Sequence, residues 1–92
     1  LGIARRSTSP AAATGWYVYI LRCRGGTLYT GIAIDLSKRL AAHQNGLGAK
    51  YTRSRLPVTL VYQEPQTDRS SALKREAELR RLGRSAKLAL IS

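Results

Sequence analysis

Residues 16–23 are rich in aromatic and β-branched side chains, stop at Arg24-Gly25-Gly26-Thr27, and give way to a second such run over 28–32. Two runs split by glycines read as a β-hairpin, and the rest of the chain has to be arranged around it. Asp35 is placed to cap a helix of about ten residues that closes at Asn45-Gly46. A basic loop follows, with Lys50, Tyr51, Arg53 and Arg55. Pro57 then opens a third strand over 58–62. Asp68 caps a second helix over 69–82, stopped by Gly83, and Ser85 starts a short last helix through 91. The predicted order is β-β-α-β-α-α, with no internal repeat.

The chain has 92 residues, enough for one sheet-and-helix core but not for two. Residues 1–15 read as a tail of small residues with Arg5 and Arg6 and no helical or strand period. Residues 16–92 are then the folded domain. The first residue is Leu rather than Met, which points to a start inside a longer chain. An Arg/Ser-rich, acid-free opening also has the look of a transit peptide.

Lys and Arg number 16 against 5 Asp and Glu, a formal net charge of +11. Without Arg5 and Arg6 the balance is 14 against 5, still +9, so the charge belongs to the domain. Self-repulsion of this size calls for a partner of opposite sign, nucleic acid ahead of an anionic membrane. No apolar run approaches the roughly 18 residues of a membrane span, and no secretory signal opens the chain. Cys23 is the only cysteine, which rules out an intramolecular disulfide and a cysteine-based zinc site. The expectation is a cytoplasmic protein in which Cys23 is a small apolar strand residue.

In the first helix Leu36, Arg39, Leu40 and His43 share one stripe at the 3.6-residue period, opposite Lys38, Ala41, Ala42 and Asn45. Arg39 and His43 thus lie with two leucines on the inward face. The alternative is that Arg39 snorkels from the edge of the stripe while His43 caps the helix. In the second helix Ala72, Leu73 and Leu79 make the apolar stripe and Glu76 projects between them. A carboxylate there needs a cation, either a metal ion or an arginine, and Arg80 at i+4 is the nearest in sequence. A lone carboxylate would suit one Mg²⁺ that keeps most of its waters. Tyr17, Tyr19 and Tyr29 crowd the hairpin in a chain without Phe.

Tyr17-Val18-Tyr19, then Tyr29-Thr30-Gly31, then Arg39, His43 and Glu76 together resemble the GIY-YIG nuclease domain. The likeness runs from 16 to about 91 and is closest to the small stand-alone bacterial members. It extends to Arg39-Leu40-Ala41-Ala42-His43-Gln44-Asn45-Gly46, Gly48-Ala49-Lys50-Tyr51-Thr52 and Asp68-Arg69-Ser70-Ser71-Ala72-Leu73. The first tripeptide lacks the Gly and Ile of the family name, the second has Thr for Ile, and no late Asn matches that of some larger members.

The resemblance implies an α/β fold with a small three-stranded antiparallel sheet flanked by helices. It also implies hydrolysis of DNA phosphodiesters, single-stranded or structured, at one Mg²⁺ or Mn²⁺ ion, with RNA a lesser substrate. Carried over by position, Tyr19 is the candidate general base and Tyr29 orients the water or shares that role. Arg39 stabilises phosphate charge, Glu76 holds the metal, and His43 assists. Lys50, Tyr51, Arg53 and Arg55 are expected to hold nucleic acid, as cations mixed with an aromatic ring suit a flexible strand. A two-residue turn at Gly25-Gly26 would set Arg22 opposite Tyr29 and send Tyr19 to the other face. A shared site therefore requires a three- or five-residue connection or a bulge. A catalytically silent nucleic-acid-binding module is the competing reading, and a basic ribosome- or RNA-associated protein the third.

Overall fold

The computed structural model describes residues 14–91. The proposed tail lies outside them up to residue 13, while Thr14 and Gly15 already belong to the first strand. The elements are β1 (Thr14–Arg22), β2 (Leu28–Asp35), α1 (Leu36–Gln44), α2 (Lys50–Arg53), β3 (Thr59–Gln66), α3 (Arg69–Arg81) and α4 (Arg84–Ile91). The sheet is antiparallel with order β2-β1-β3, so β1 is central.

β1 alternates strictly. Tyr17, Tyr19, Leu21 and Cys23 face a core with Ala33, Leu36, Leu40 and Val58. Trp16, Val18 and Ile20 face the other way, onto Ala72 and Leu79 of α3 and Leu90 and Ile91 of α4. The sheet is thus covered by α1 and α2 on one side and by α3 and α4 on the other. Cys23 is free and buried in the first core, as expected of an apolar residue, but it lies one position past the end of β1 rather than in the strand.

The hairpin connection is odd. Arg22 pairs with Leu28 and Leu21 with Tyr29, leaving Cys23 to Thr27 as the five connecting residues. Cys23 N–H bonds to Thr27 O, and Gly26 N–H to Cys23 O, at 2.8 and 2.9 Å. Gly25 sits at φ +89°, the left-handed conformation that a type II turn needs at its third position. Because Tyr29 opposes Leu21, it points to the same face as Tyr19.

The caps fall where the sequence places them. Asp35 accepts from Lys38 N at 3.1 Å, and Asp68 and Ser71 form a reciprocal capping box at the start of α3. Gly46, at φ +77°, ends α1 by donating to His43 O.

Three expectations are corrected. The basic loop contains the one-turn helix α2, whose preceding Ala49 makes no side-chain cap and gives no start signal. β3 runs on to Gln66 through Pro65, which is tolerated because β3 is an edge strand. Leu73 is 38% exposed because the buried stripe of α3 runs through Ala72 and Leu79, leaving Leu73 to one side. No helix among the described residues is long and apolar enough to cross a membrane.

Candidate active site

Tyr19 and Tyr29, Arg39 and His43 come together on the α1 side of the sheet. Tyr19 lies directly across from Gly31. A Cβ at that position would stand 2.6 Å from the Tyr19 hydroxyl oxygen and 2.8 Å from Cζ. The glycine of Tyr29-Thr30-Gly31 therefore makes the space in which the Tyr19 ring lies. Gly48 does the same for His43, whose ring a Cβ at 48 would overlap.

His43 is fully buried and held at both nitrogens. Its Nδ1 lies 2.8 Å from Thr52 Oγ1, and its Nε2 lies 2.9 Å from the Tyr19 hydroxyl. The Thr52 hydroxyl donates its single proton to Ala49 O at 2.9 Å. It can therefore only accept from His43, so Nδ1 carries the proton and Nε2 the lone pair. The Tyr19 hydroxyl then donates to Nε2. Burial, and next the charge of Arg39, push the His43 pKa below its ordinary value, which keeps the ring in the neutral form that this chain of bonds requires.

Burial pushes the Tyr19 phenol up to about 12, against the pull of Arg39 beside it; Tyr29 and Glu76 add to the rise. The same neighbourhood holds Arg39 even more firmly cationic, the Tyr19 hydroxyl being the main cause. The Arg39 Nε is buried without a hydrogen-bond partner. The rest of the guanidinium interacts with the two phenols, Tyr19 first, and its planar fork is of the kind that matches phosphate oxygens.

Tyr29 is only half-buried. Its ring packs edge-on to His43 at 5.5 Å and stacks on Tyr51 at 6.0 Å, tilted by 22°. The Arg55 guanidinium covers the Tyr51 ring at 3.9 Å and donates to Tyr51 O. Tyr51 and Arg55 thus buttress Tyr29, whereas Lys50 and Arg53 project into solvent.

Glu76 is carried by α3, the helix on the other sheet face, yet its charge acts on the Tyr19 phenol. Its side chain is 19% exposed and accepts from Arg80 Nη2 at 3.2 Å. That nitrogen also donates to Thr30 O, at 3.3 Å, on the open edge of β2. The inward carboxylate and the i+4 ion pair are both present. The remaining acids have structural partners: Asp35 and Asp68 cap helices, Glu64 takes Arg75, Tyr62 and Gln66, and Glu78 takes Arg75. No three metal-ligating side chains cluster among the described residues. Glu76 alone fits a metal, and a single carboxylate fits one ion that keeps most of its water shell, as Mg²⁺ does.

Thr52, Gly31 and Gly48 belong to the site with no role predicted for them from the sequence, whereas Arg80 is the i+4 partner expected for Glu76. An isolated glycine opposite a tyrosine in a hairpin is a readable sign of close approach. A threonine in a polar stretch carries no such sign.

Residues 15–89 match the GIY-YIG catalytic domain model. The chain is similar to the UPF0213 protein of Staphylococcus saprophyticus, 55% identical over 76 residues that cover 83% of this chain and 93% of the relative. It is also similar to the UPF0213 protein of Streptococcus sanguinis, at 52% identity over 82% of this chain and 86% of the relative. Among solved structures, the UPF0213 protein of Bacillus halodurans superposes with a TM-score of 0.54 at 41% identity, covering 83% of this chain and 81% of that one. A protein from E. faecalis superposes at 0.55 and 32% identity, covering 94% and 84%.

Proposed function

The chain belongs to the GIY-YIG catalytic-domain family, and from that membership we propose that it is a divalent-metal-dependent endonuclease hydrolysing DNA phosphodiester bonds in single-stranded or structured DNA. The observation that carries this is the bonded series Thr52–His43–Tyr19 ending beside the half-satisfied Arg39. A pure binding surface has no use for a tautomer-fixed histidine beneath two phenols.

The two tyrosines divide the work by exposure. Tyr19 is 1% exposed and already donates to His43, so it positions Arg39 and His43 rather than meeting the attacking water. Tyr29 reaches solvent and is the group that takes the water's proton. A tyrosine needs a neighbouring cation to act as a base at neutral pH, and Arg39 supplies it. The Arg39 fork also matches the oxygens of a phosphate that gains charge in the transition state. When bound at Glu76, Mg²⁺ or Mn²⁺ would polarise the scissile phosphate and stabilise the leaving oxygen.

One observation favours a silent nucleic-acid-binding module instead: Glu76 already has a cation in Arg80. A cleavage assay on single-stranded, duplex and branched DNA with Mg²⁺ decides between them. Wild type should cut and Glu76→Ala should not, with binding nearly intact. Equal cutting by both, or binding with no cutting by either, would select the module.

A further inference from the structure

β2 is an edge strand, and clefts flank its two ends. One, of about 440 Å³, lies at the 32–35 end and includes Arg39. The other, of about 450 Å³, lies at the hairpin end and is lined by Leu28, Tyr29, Thr30, Tyr51, Arg80 and Lys87. A recess of about 240 Å³ extends the second cleft past Lys87 to Arg84.

We propose that the hairpin-end cleft is a nucleotide subsite for the strand flanking the scissile phosphate. Sugar and base lie on Leu28 and the Tyr29–Tyr51 pair, one phosphate between Arg80 and Lys87, and the next phosphate at Arg84. The inference rests on the nucleic-acid reading of the adjoining site.

Three observations support it. The cleft has the volume of small-ligand sites, roughly 300–1,000 Å³. Its lining sets an apolar, aromatic floor against cations, the combination that grips a nucleic-acid strand. Tyr29 belongs both to the cleft and to the candidate active site, so a strand held in one continues into the other.

The charge is available as well. Each of the five acids is committed elsewhere, so Arg84 and Lys87 have no acidic partner among the described residues. Arg75, by contrast, is taken up by Glu64 and Glu78. Lys74 and Arg81 are exposed on α3 and line neither cleft. They make an equal-charge control.

The test is anisotropy of a labelled oligo-dT in EDTA, so that nothing is cut, over a salt series. Each phosphate contact to a single strand contributes about 0.7 to the slope of log affinity against log salt. Arg84→Ala with Lys87→Ala should flatten the slope by about 1.4, and exposed Arg84→Gln alone by about 0.7, while Lys74→Ala with Arg81→Ala should leave it near wild type. Equal flattening by both double variants would overturn the subsite in favour of diffuse charge. An abasic strand of the same length should bind wild type about tenfold more weakly, and equal affinity would overturn the base-holding half. Failure of wild type to bind any oligonucleotide would instead overturn the nuclease reading itself.

Discussion

The Tyr19 hydroxyl lies 2.9 Å from Nε2 of His43, and the direction of the proton between them is set by Thr52 at the other ring nitrogen. Because Thr52 spends its own proton on Ala49 O, His43 must donate from Nδ1 and accept at Nε2. A residue with no catalytic chemistry of its own thereby fixes the tautomer that the tyrosine meets.

Thr52→Val keeps the shape but removes the acceptor, leaving a buried N–H unpaired. The expected cost is about 1–3 kcal/mol of folding stability, measured by urea unfolding, with Thr52→Ser close to wild type. Nitrogen NMR of the imidazole should report protonated Nδ1 in wild type and a loss of that preference in the valine variant.

Gly31→Ala sets a methyl group 2.6 Å from the Tyr19 oxygen and 2.8 Å from Cζ. Ring and strand must separate, at about 1–3 kcal/mol. Adding Tyr19→Phe removes the oxygen but keeps Cζ, so thermal melts should show only partial recovery. Full recovery would place the whole conflict at the hydroxyl.

Stability should depend on pH from two sides. His43 is lowered in the folded protein, mainly by burial. Below its unfolded value near 6.5 the unfolded chain therefore binds the proton first, and stability falls as pH drops from there. Tyr19 is raised to about 12, so the unfolded chain loses its proton first. That stability is complete below pH 10 and is lost as pH rises through 12, to a total of about 3 kcal/mol. Tyr19→Phe should remove the share of the alkaline loss that belongs to residue 19, with Tyr62 and Cys23, also raised by burial, keeping theirs, and His43→Gln the acid loss attributable to residue 43, both read from denaturant midpoints across pH.

The two tyrosines should differ in kinetics. Tyr29→Phe should lower kcat by about 10²-fold or more, as loss of a general base does, and leave unfolding nearly unchanged. Tyr19→Phe should shift the pH dependence and lower stability, because it breaks a buried bond. A larger catalytic loss in Tyr19→Phe with Tyr29→Phe active would reverse the assignment.

Much of this arrangement is legible in the residues. The broken apolar run gives the hairpin, the need for Tyr19 and Tyr29 on one face gives an odd connection, and Asp35 and Asp68 give the helix starts. The inward positions of Arg39, His43 and Glu76 follow from the helical period alone. α2 is not legible, because four residues after an uncapped Ala49 form a helix only through tertiary contacts. Nor is the exposure of Leu73, since a period marks a stripe but not its width. That Glu76 comes to the tyrosines from a helix on the other sheet face depends on which face α3 covers, which the register of β1 decides and no local pattern records.

Arg80 bears on whatever Glu76 is to hold. Its Nη2 holds Glu76 Oε2 at 3.2 Å and Thr30 O at 3.3 Å, while 57% of its side chain faces solvent. An exposed arginine held by one carboxylate and one carbonyl can leave, and a divalent ion at Glu76 has to displace it or share the carboxylate. Arg80→Ala should therefore tighten Mn²⁺ binding in the absence of nucleic acid, followed by the EPR signal of free Mn²⁺. The gain should be about twofold to fivefold, the range that an exposed ion pair of up to about 1 kcal/mol allows. Glu76→Gln should abolish site binding in either background. Unchanged affinity in Arg80→Ala would show that the arginine does not compete for Glu76, and the pair would then be simple neutralisation of a half-buried acid.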